Sequence, residues 1–251
     1  LITKREDGRF TRTLVNRLWQ RFFGRGLVEP VDDMEQPAWN AALLDWLAED
    51  FADHGYDVKH LIDVMLTSRA YQMPPVPATE QTETSFVFHG PQVRRLSAEQ
   101  FRDAVGALGG VWYEKPTAKI IRQDGSTNRF GATRAALVPA DTLQIALGRP
   151  NREQILTVRP PIATTLQALE LTNGEELAGL MKQSAERILA GSEKSSRDAL
   201  IAKIYAKALG RKPTRAEREL AGGLMGAATH ADGVEDLLWS LAMLPEFQLI
   251  Y

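Results

Sequence analysis

The sequence predicts a mainly α-helical protein: an orthogonal or antiparallel multi-helix bundle with a long irregular segment and one small β-hairpin at about residues 117–138. Two observations support this fold class. Apolar residues recur at the three-and-four spacing of amphipathic helices over most of the chain, and capping residues or glycines stand where those periodic segments begin and end. At 251 residues, with 44% hydrophobic and 25% charged residues, the chain can bury a core without disulfides or metals.

The N-terminal part of the chain predicts three helices. Apolar residues over positions 10–22 follow the helical period, and Gly24 supplies the left-handed conformation that ends a helix. After a proline-flanked loop, the pattern over residues 39–51, which includes Trp39 and Trp46 on the expected apolar face, predicts a second helix. Asp57 can accept from the first free amides of a third helix.

A change in composition separates two helical subdomains. Residues 73–96 are rich in Pro, Thr, Glu and Gln without a sustained period, which predicts an extended connection with a short strand at residues 86–88. We therefore expect an N-terminal helical subdomain at residues 1–72 and a C-terminal one at 97–251, together one compact unit of a longer polypeptide.

The C-terminal part begins with a capped helix and then loses its periodicity. Ser97 and Gln100 form a capping box ahead of a fourth helix that ends at two glycines, 109 and 110. Residues 111–162 form a long basic loop, in which two short apolar runs flank a turn-rich stretch and predict the hairpin.

Helices return in the last third of the chain. A second capping box is predicted from Thr214 and Glu217, and Pro245 should stop the final helix. The expected apolar faces are Leu166 and Leu169; Leu177, Leu180, Met181, Ser184 and Ile188; Leu200, Ile201, Ile204, Tyr205 and Ala208; Leu220 and Leu224; and Val234, Leu237, Leu238, Leu241 and Leu244.

Composition excludes several functions. The net charge of −2 gives no general attraction to polyanions, so nucleic acid is an unexpected partner. The absence of cysteine removes disulfides, thiolate nucleophiles and zinc-cysteine sites. No apolar run of about 18 residues is present, so no membrane span is predicted. We expect no cofactor.

Four phrases together resemble one family. They are VNRLWQRFFGRGLVEPVDD at 15–33, LLDWLAEDFADHGYDVKHLIDVMLTSRAYQ at 43–72, RRLSAEQFRDAV at 94–105 and ALGRPNREQILTVRPPIATTLQALELTNG at 146–174. They are similar to the C-terminal domain of unknown function, number 1553 in its series, of large planctomycete and verrucomicrobial proteins. The resemblance implies an exported, extracytoplasmic multidomain protein with a second uncharacterised domain upstream and often a cytochrome-c-like module. It brings no established activity and no catalytic residues.

The long basic loop supplies the candidate ligand site. Arg149 and Arg152 flank a proline and Asn151, a turn that can present two guanidiniums and an amide to a planar anion. Arg159 and the helix-opening Thr164 can add to this pocket, since free amides at helix N-termini attract anions. The alternative is that these arginines cap helices and pair with carboxylates, which would fix the loop to the helical body.

Two further pairs of residues are candidates for a functional role. Trp112 and Tyr113 follow the paired glycines in a non-periodic stretch, which makes them candidates for contact with a ligand or partner domain. Asp32 and Asp33 are candidate acid/base or oxygen-ligand residues, with capping and salt bridging as the alternative. The chain has four histidines: His54, His60, His89 and His230. Their spacing is not that of a metal-ligand set, so no metal site is predicted.

The sequence thus predicts a non-catalytic interaction, scaffolding or anion-binding module. The expected partners are an upstream domain of the same polypeptide and an acidic polysaccharide or small anion. The alternative is a hydrolase or lyase on an anionic substrate such as an acidic polysaccharide, in which Asp32 or Asp33 serves as base and Arg149 or Arg152 stabilises developing charge.

Overall fold

A computed structural model of the chain confirms the predicted mainly α-helical class. It describes residues 8–77, 86–114, 133–151, 153, 164–192, 195–226 and 229–251. The helices are α1 (Arg9–Phe23), α2 (Ala41–Asp53), α3 (Val58–Thr67), α4 (Ala98–Gly109), α5 (Thr142–Ala146), α6 (Thr165–Asn173), α7 (Glu175–Ala190), α8 (Arg197–Leu209), α9 (Arg215–Met225), α10 (Ala231–Met243) and α11 (Pro245–Gln248). The strands β1 (Arg94–Arg95) and β2 (Leu249–Ile250) pair in a two-stranded sheet.

The chain divides into two compact units, residues 1–94 with 250–251 (unit 1) and residues 95–249 (unit 2). In unit 1, the apolar faces of α1, α2 and α3 pack together, as their spacing predicts. Trp19 and Phe23, one turn apart on α1, stack with ring centroids 3.8 Å apart. The core of unit 1 consists of Val15, Trp19, Phe23, Leu27, Val28, Leu44, Leu47, Ala48, Phe51, Leu61 and Met65.

The loop after α1 is organised by one fully buried amide, that of Asn16. Its Oδ1 accepts from the backbone amides of Leu27 and Val28, at 2.7 and 3.0 Å. Its Nδ2 donates to the carbonyls of Val28 and Val31, at 3.0 and 2.9 Å. Because buried peptide groups need partners, this amide replaces the bonds that regular structure would supply. The loop is closed further by the Trp39 indole, which donates to the Gly26 carbonyl at 3.0 Å.

In unit 2, α4, α7, α8, α9 and α10 surround a second core. Both predicted capping boxes are present: Ser97 with Gln100 and Thr214 with Glu217. Glu217 also forms an ion pair with Arg211, whose hydrogen bonds are the main reason that the pKa of Glu217 is lowered to about 2. The core includes Phe101, Val105, Leu108, Leu143, Leu177, Met181, Ile201, Ile204, Met225, Val234, Leu237, Leu238 and Leu241.

The two ends of unit 2 lie side by side. The amide of Leu96, just after β1, donates to the carbonyl of Gln248, just before β2, at 2.8 Å. This bond extends the pairing of β1 with β2.

The structure differs from the sequence prediction in its irregular segments. Residues 86–88 form no strand; Phe86 and Phe88 instead pack against Trp39, with ring centroids 5.1 and 5.9 Å apart. Most of the predicted hairpin lies outside the described residues. Its C-terminal apolar run is a short 3-10 helix at Ala135–Leu137, and α5 within the predicted loop was not anticipated.

Several apolar side chains predicted to be buried are exposed. Trp46 is 55% exposed because α2 buries the face of Leu44, Leu47 and Phe51, and position 46 lies on the opposite side. On α9, Ala221 and Met225 face the core, which leaves the predicted leucines at 220 and 224 outside. The two predicted leucines of α6, at 166 and 169, are also exposed, since that helix buries no residue.

Within the described residues, no helix has the length and apolarity needed to cross a bilayer.

Candidate functional site

The guanidinium of the predicted ligand residue Arg149 is surrounded by protein oxygens. Its guanidinium donates to the carbonyls of Ala135 and Val138, at 2.9 and 2.8 Å, and to the Gln144 side chain. Its Nε lies 3.5 Å from a carboxylate oxygen of Glu99, and both side chains are mostly buried. These contacts match the alternative in which arginines fix the loop to the helical body, because few donors are left for an external anion.

The other loop residues are dispersed. Arg152 and Arg159 lie outside the described residues. Asn151 is exposed. Thr164 is the N-cap of α6, and its hydroxyl accepts from the Gln167 amide at 3.2 Å in a further capping box. The predicted pocket built from these residues therefore stays a prediction.

Tyr113 belongs to a partly buried polar network. Its hydroxyl donates to Asp141 and accepts from the Gln144 amide at 2.7 Å. Burial, followed by the bond to Asp141, raises the pKa of Tyr113 to about 12. The guanidinium of Arg102 covers one ring face at 4.3 Å from the centroid, and that of Arg134 lies 5.1 Å from the Trp112 ring centroid. These contacts hold the aromatic pair in place.

Trp112 and Tyr113 line a cleft of about 360 Å³ on unit 2, which we call the acidic cleft. Three glutamates line it with one arginine, Arg102, whose guanidinium already covers Tyr113. The glutamates are Glu114, Glu175 and Glu176. This surplus of negative charge would repel an anion, so the aromatic pair does not favour the anionic ligand that was predicted beside it.

A second cleft on unit 2 has the opposite charge. It measures about 210 Å³ and lies where the C-terminus of α4 meets α7 and α8; we call it the basic cleft. Its cationic residues are Arg187 on α7 and Lys203 and Lys207 on α8, and no carboxylate is among the described residues that line it. Its apolar lining consists of Leu108, Ile188, Leu200, Ile204 and Leu238.

Two of these cations cap α4. The Arg187 guanidinium donates to the Gly110 carbonyl at 2.6 Å, and the Lys207 ammonium donates to the Leu108 carbonyl at 3.0 Å. Each keeps further N–H donors. Lys203 is exposed and has no protein partner in the part of the chain that the structure describes.

The close approach of α4 to α7 depends on Gly109, where an added Cβ would lie 2.2 Å from Ser184 Cβ.

The predicted acid/base candidates, Asp32 and Asp33, accept hydrogen bonds from nearby residues. Asp32 accepts from the Arg17 guanidinium at 2.7 Å. Asp33 accepts from the Gln36 side chain at 2.8 Å and from the Glu35 amide at 3.3 Å. These bonds describe a turn and a surface ion pair, and the catalytic role stays a prediction.

Sequence spacing missed one constellation, in unit 1. His54 and His60 stack with ring centroids 3.7 Å apart, and both contact the carboxylate of Asp50. The ligand atoms of these three residues lie within 4.8 Å of one another. The sequence spacing that predicted no metal site did not indicate that these two histidines lie together. The one signal in the sequence was the i,i+4 relation of Asp50, on α2, and His54, the C-cap of that helix; His60 joins them through the α2–α3 turn.

Comparison with known proteins gives a match to a family model. A family model described as PSD1, protein of unknown function (DUF1553), matches residues 1–225. No curated protein and no solved structure matches the chain.

Proposed function

The chain belongs to the DUF1553 family of proteins of unknown function, so we propose its role from its own residues: a non-catalytic binding module that takes an anionic ligand in the basic cleft. One observation carries this proposal. Arg187, Lys203 and Lys207 meet at a cleft in which no described lining residue is a carboxylate. Surface cations are usually interspersed with acids, so a group of three cations with no carboxylate among the described lining residues attracts a negative ligand.

The helix terminus in the cleft does not cancel this charge. The C-terminus of α4 contributes roughly half a negative elementary charge, through the carbonyls that Arg187 and Lys207 already contact. Three full positive charges outweigh it. The ammonium of Lys203 carries no structural bond in the described part of the chain, which leaves it available to a ligand.

The dimensions and lining of the cleft indicate the kind of anion. A volume of about 210 Å³ is below that of a drug-sized pocket. It suits a single carboxylate or sulfate group with a small organic body, because leucine and isoleucine side chains line the remainder. An acidic polysaccharide presents such groups one at a time, which agrees with the ligand class expected from the sequence.

The test is a thermal-shift and calorimetric titration of the full chain with sulfate, acetate and a sulfated or uronic-acid oligosaccharide. A ligand at 100 times its Kd should stabilise the protein by about 2.7 kcal/mol. Lys203→Gln should weaken binding by about tenfold, since a charge-assisted hydrogen bond contributes about 1.5 kcal/mol or more. Lys182→Gln, on α7 but outside the cleft lining, makes the same change in net charge and is the matched control.

Two results would overturn the proposal. One is the absence of a shift with every anion at moderate ionic strength. The other is equal weakening by Lys203→Gln and Lys182→Gln, which would mean that the anions respond to overall charge and not to the cleft.

A second role, packing against an upstream domain of an exported multidomain protein, is supported by exposed apolar residues. Leu220 and Leu224 lie one turn apart on α9, 72% and 45% exposed. Large apolar side chains grouped on one helix face often mark a protein interface. In a chain that carries such an upstream domain, the α9 amides should exchange hydrogen more slowly than in residues 1–251 alone, and equal exchange would contradict this role.

A further inference from the structure

We propose that Asp50, His54 and His60 form a binding site for a divalent transition-metal ion of the Zn²⁺ class. The proposal concerns unit 1 and is independent of the basic cleft. Imidazole nitrogen and carboxylate oxygen are the ligands that Zn²⁺, Ni²⁺ and Cu²⁺ accept in proteins, whereas Ca²⁺ and Mg²⁺ prefer sites made wholly of oxygen.

The distances suit a small ion. His60 Nε2 lies 2.9 Å from Asp50 Oδ2, and the His54 ring stacks on the His60 ring with centroids 3.7 Å apart. Bonds of about 2.0–2.2 Å to Zn²⁺ at tetrahedral angles place neighbouring ligand atoms roughly 3.3 Å apart. One ligand atom from each of the three residues lies within 4.8 Å of the other two, which is close enough for a single ion to contact all three residues.

One histidine is already oriented by a bond behind it. His54 Nδ1 lies 2.8 Å from the Asp50 carbonyl oxygen. Because a carbonyl only accepts, this contact favours the tautomer with the proton on Nδ1, which leaves Nε2 as the nitrogen that can bind a metal. A ring N–H donated to a backbone carbonyl is the arrangement that fixes metal-ligating histidines in the correct tautomer.

The turn between α2 and α3 holds the three residues together. Gly55 and Tyr56 both adopt positive φ, 66° and 62°, which reverses the chain within a few residues. Tyr56 is kept in this conformation by edge-on packing of its ring against the buried Phe51, 5.6 Å between centroids. Asp57 caps α3 by accepting from the amides of residues 59 and 60. A rigid turn lowers the cost of assembling the ligands.

The site would be open on one side. The side chains of Asp50, His60 and His54 are 19%, 29% and 50% exposed. Three protein ligands at a surface leave at least one coordination position to water or an exogenous ligand, as in open zinc sites. A bound metal ion would also link the end of α2 to the start of α3. The two imidazoles and the carboxylate, which now contact one another directly, would then share a cation.

The experiment is isothermal titration of the metal-free full chain with ZnCl₂, repeated with NiCl₂ and with MgCl₂. We expect about one Zn²⁺ per chain and a thermal midpoint that rises with free Zn²⁺, with no response to Mg²⁺. His54→Gln and Asp50→Asn should each weaken Zn²⁺ binding by at least about tenfold. His230→Gln, which removes an exposed histidine of unit 2, should leave binding unchanged.

His54 is the safest ligand to replace, since its ring is half-exposed. Its variant should keep the metal-free circular dichroism spectrum and thermal midpoint of the original protein, so a loss of binding reports on the site. The proposal is overturned if the original protein binds no Zn²⁺, or if His54→Gln and His230→Gln bind it as tightly as the original. Asp50 would then serve only as an ion-pair partner of the two histidines.

Discussion

Replacing Asn16 by alanine should destabilise unit 1 more than any other change of a single polar side chain discussed above. The amide makes four hydrogen bonds to the loop after α1, at 2.7–3.0 Å, and it is fully buried. Alanine leaves two peptide N–H groups and two carbonyl acceptor positions without their partner. Each unsatisfied buried group costs about 1–3 kcal/mol, partly relieved if water enters the space. We expect a loss of roughly 3–6 kcal/mol.

The assay is urea unfolding followed by the fluorescence of the tryptophans of unit 1, with the loss read from the shift in midpoint at constant m-value. A loss of this size is a large part of the roughly 5–15 kcal/mol by which domains are stable. Asn151→Ala, which removes an exposed amide, is the matched control and should change stability by less than about 0.5 kcal/mol. A loss below about 1 kcal/mol for Asn16→Ala would refute the reasoning that this amide organises the loop.

Three further predictions concern unit 2. The pKa of Glu217 is lowered from 4.5 to about 2 mainly by the guanidinium of its ion pair, so the stabilisation is present above pH 4.5 and is lost as the pH falls towards 2. Glu217→Gln should therefore reduce the fall of the urea unfolding midpoint over this acid range. An unchanged fall in the variant would contradict the prediction. Tyr113→Phe should remove one phenol that ionises near pH 12 in an ultraviolet titration. If the signal lost in the variant is instead that of a phenol ionising near pH 10, the ring is not held as described. Gly109→Ala should cost about 1–3 kcal/mol because its Cβ meets Ser184, whereas Gly179→Ala, with nothing within 4 Å, should not destabilise α7.

Local features of the fold could be predicted from the sequence. The boxes at Ser97 and Thr214 and the cap at Asp57 depend on residues within one turn, so short sequence patterns suffice to identify them. Family membership was also predictable, since it depends on phrases along the chain. The exposure of Leu166 and Leu220 was not, because the period shows that a helix has an apolar face but not whether another element covers it.

The sites required tertiary structure for the same reason. Cations of the basic cleft come from α7 and α8 and meet at the end of α4, which no spacing in the sequence reveals. His54 and His60 are six positions apart, a spacing that does not place two side chains on one helix face, and the left-handed turn at Gly55 and Tyr56 brings them together. Conversely, the positive charge around Arg149 could be read from the sequence, but the carbonyls that accept hydrogen bonds from its guanidinium could not.

The hydrogen bond from Leu96 to Gln248 has a topological consequence for unit 2. Since residues 95–249 enter and leave through adjacent strands, a linker of a few residues could join position 249 to position 95 without disturbing the helices. New termini could then be opened in the turn after α8, at Gly210. Unit 2 is in this sense a closed loop of chain, and a circular permutant of it should reach the same core by a different order of synthesis.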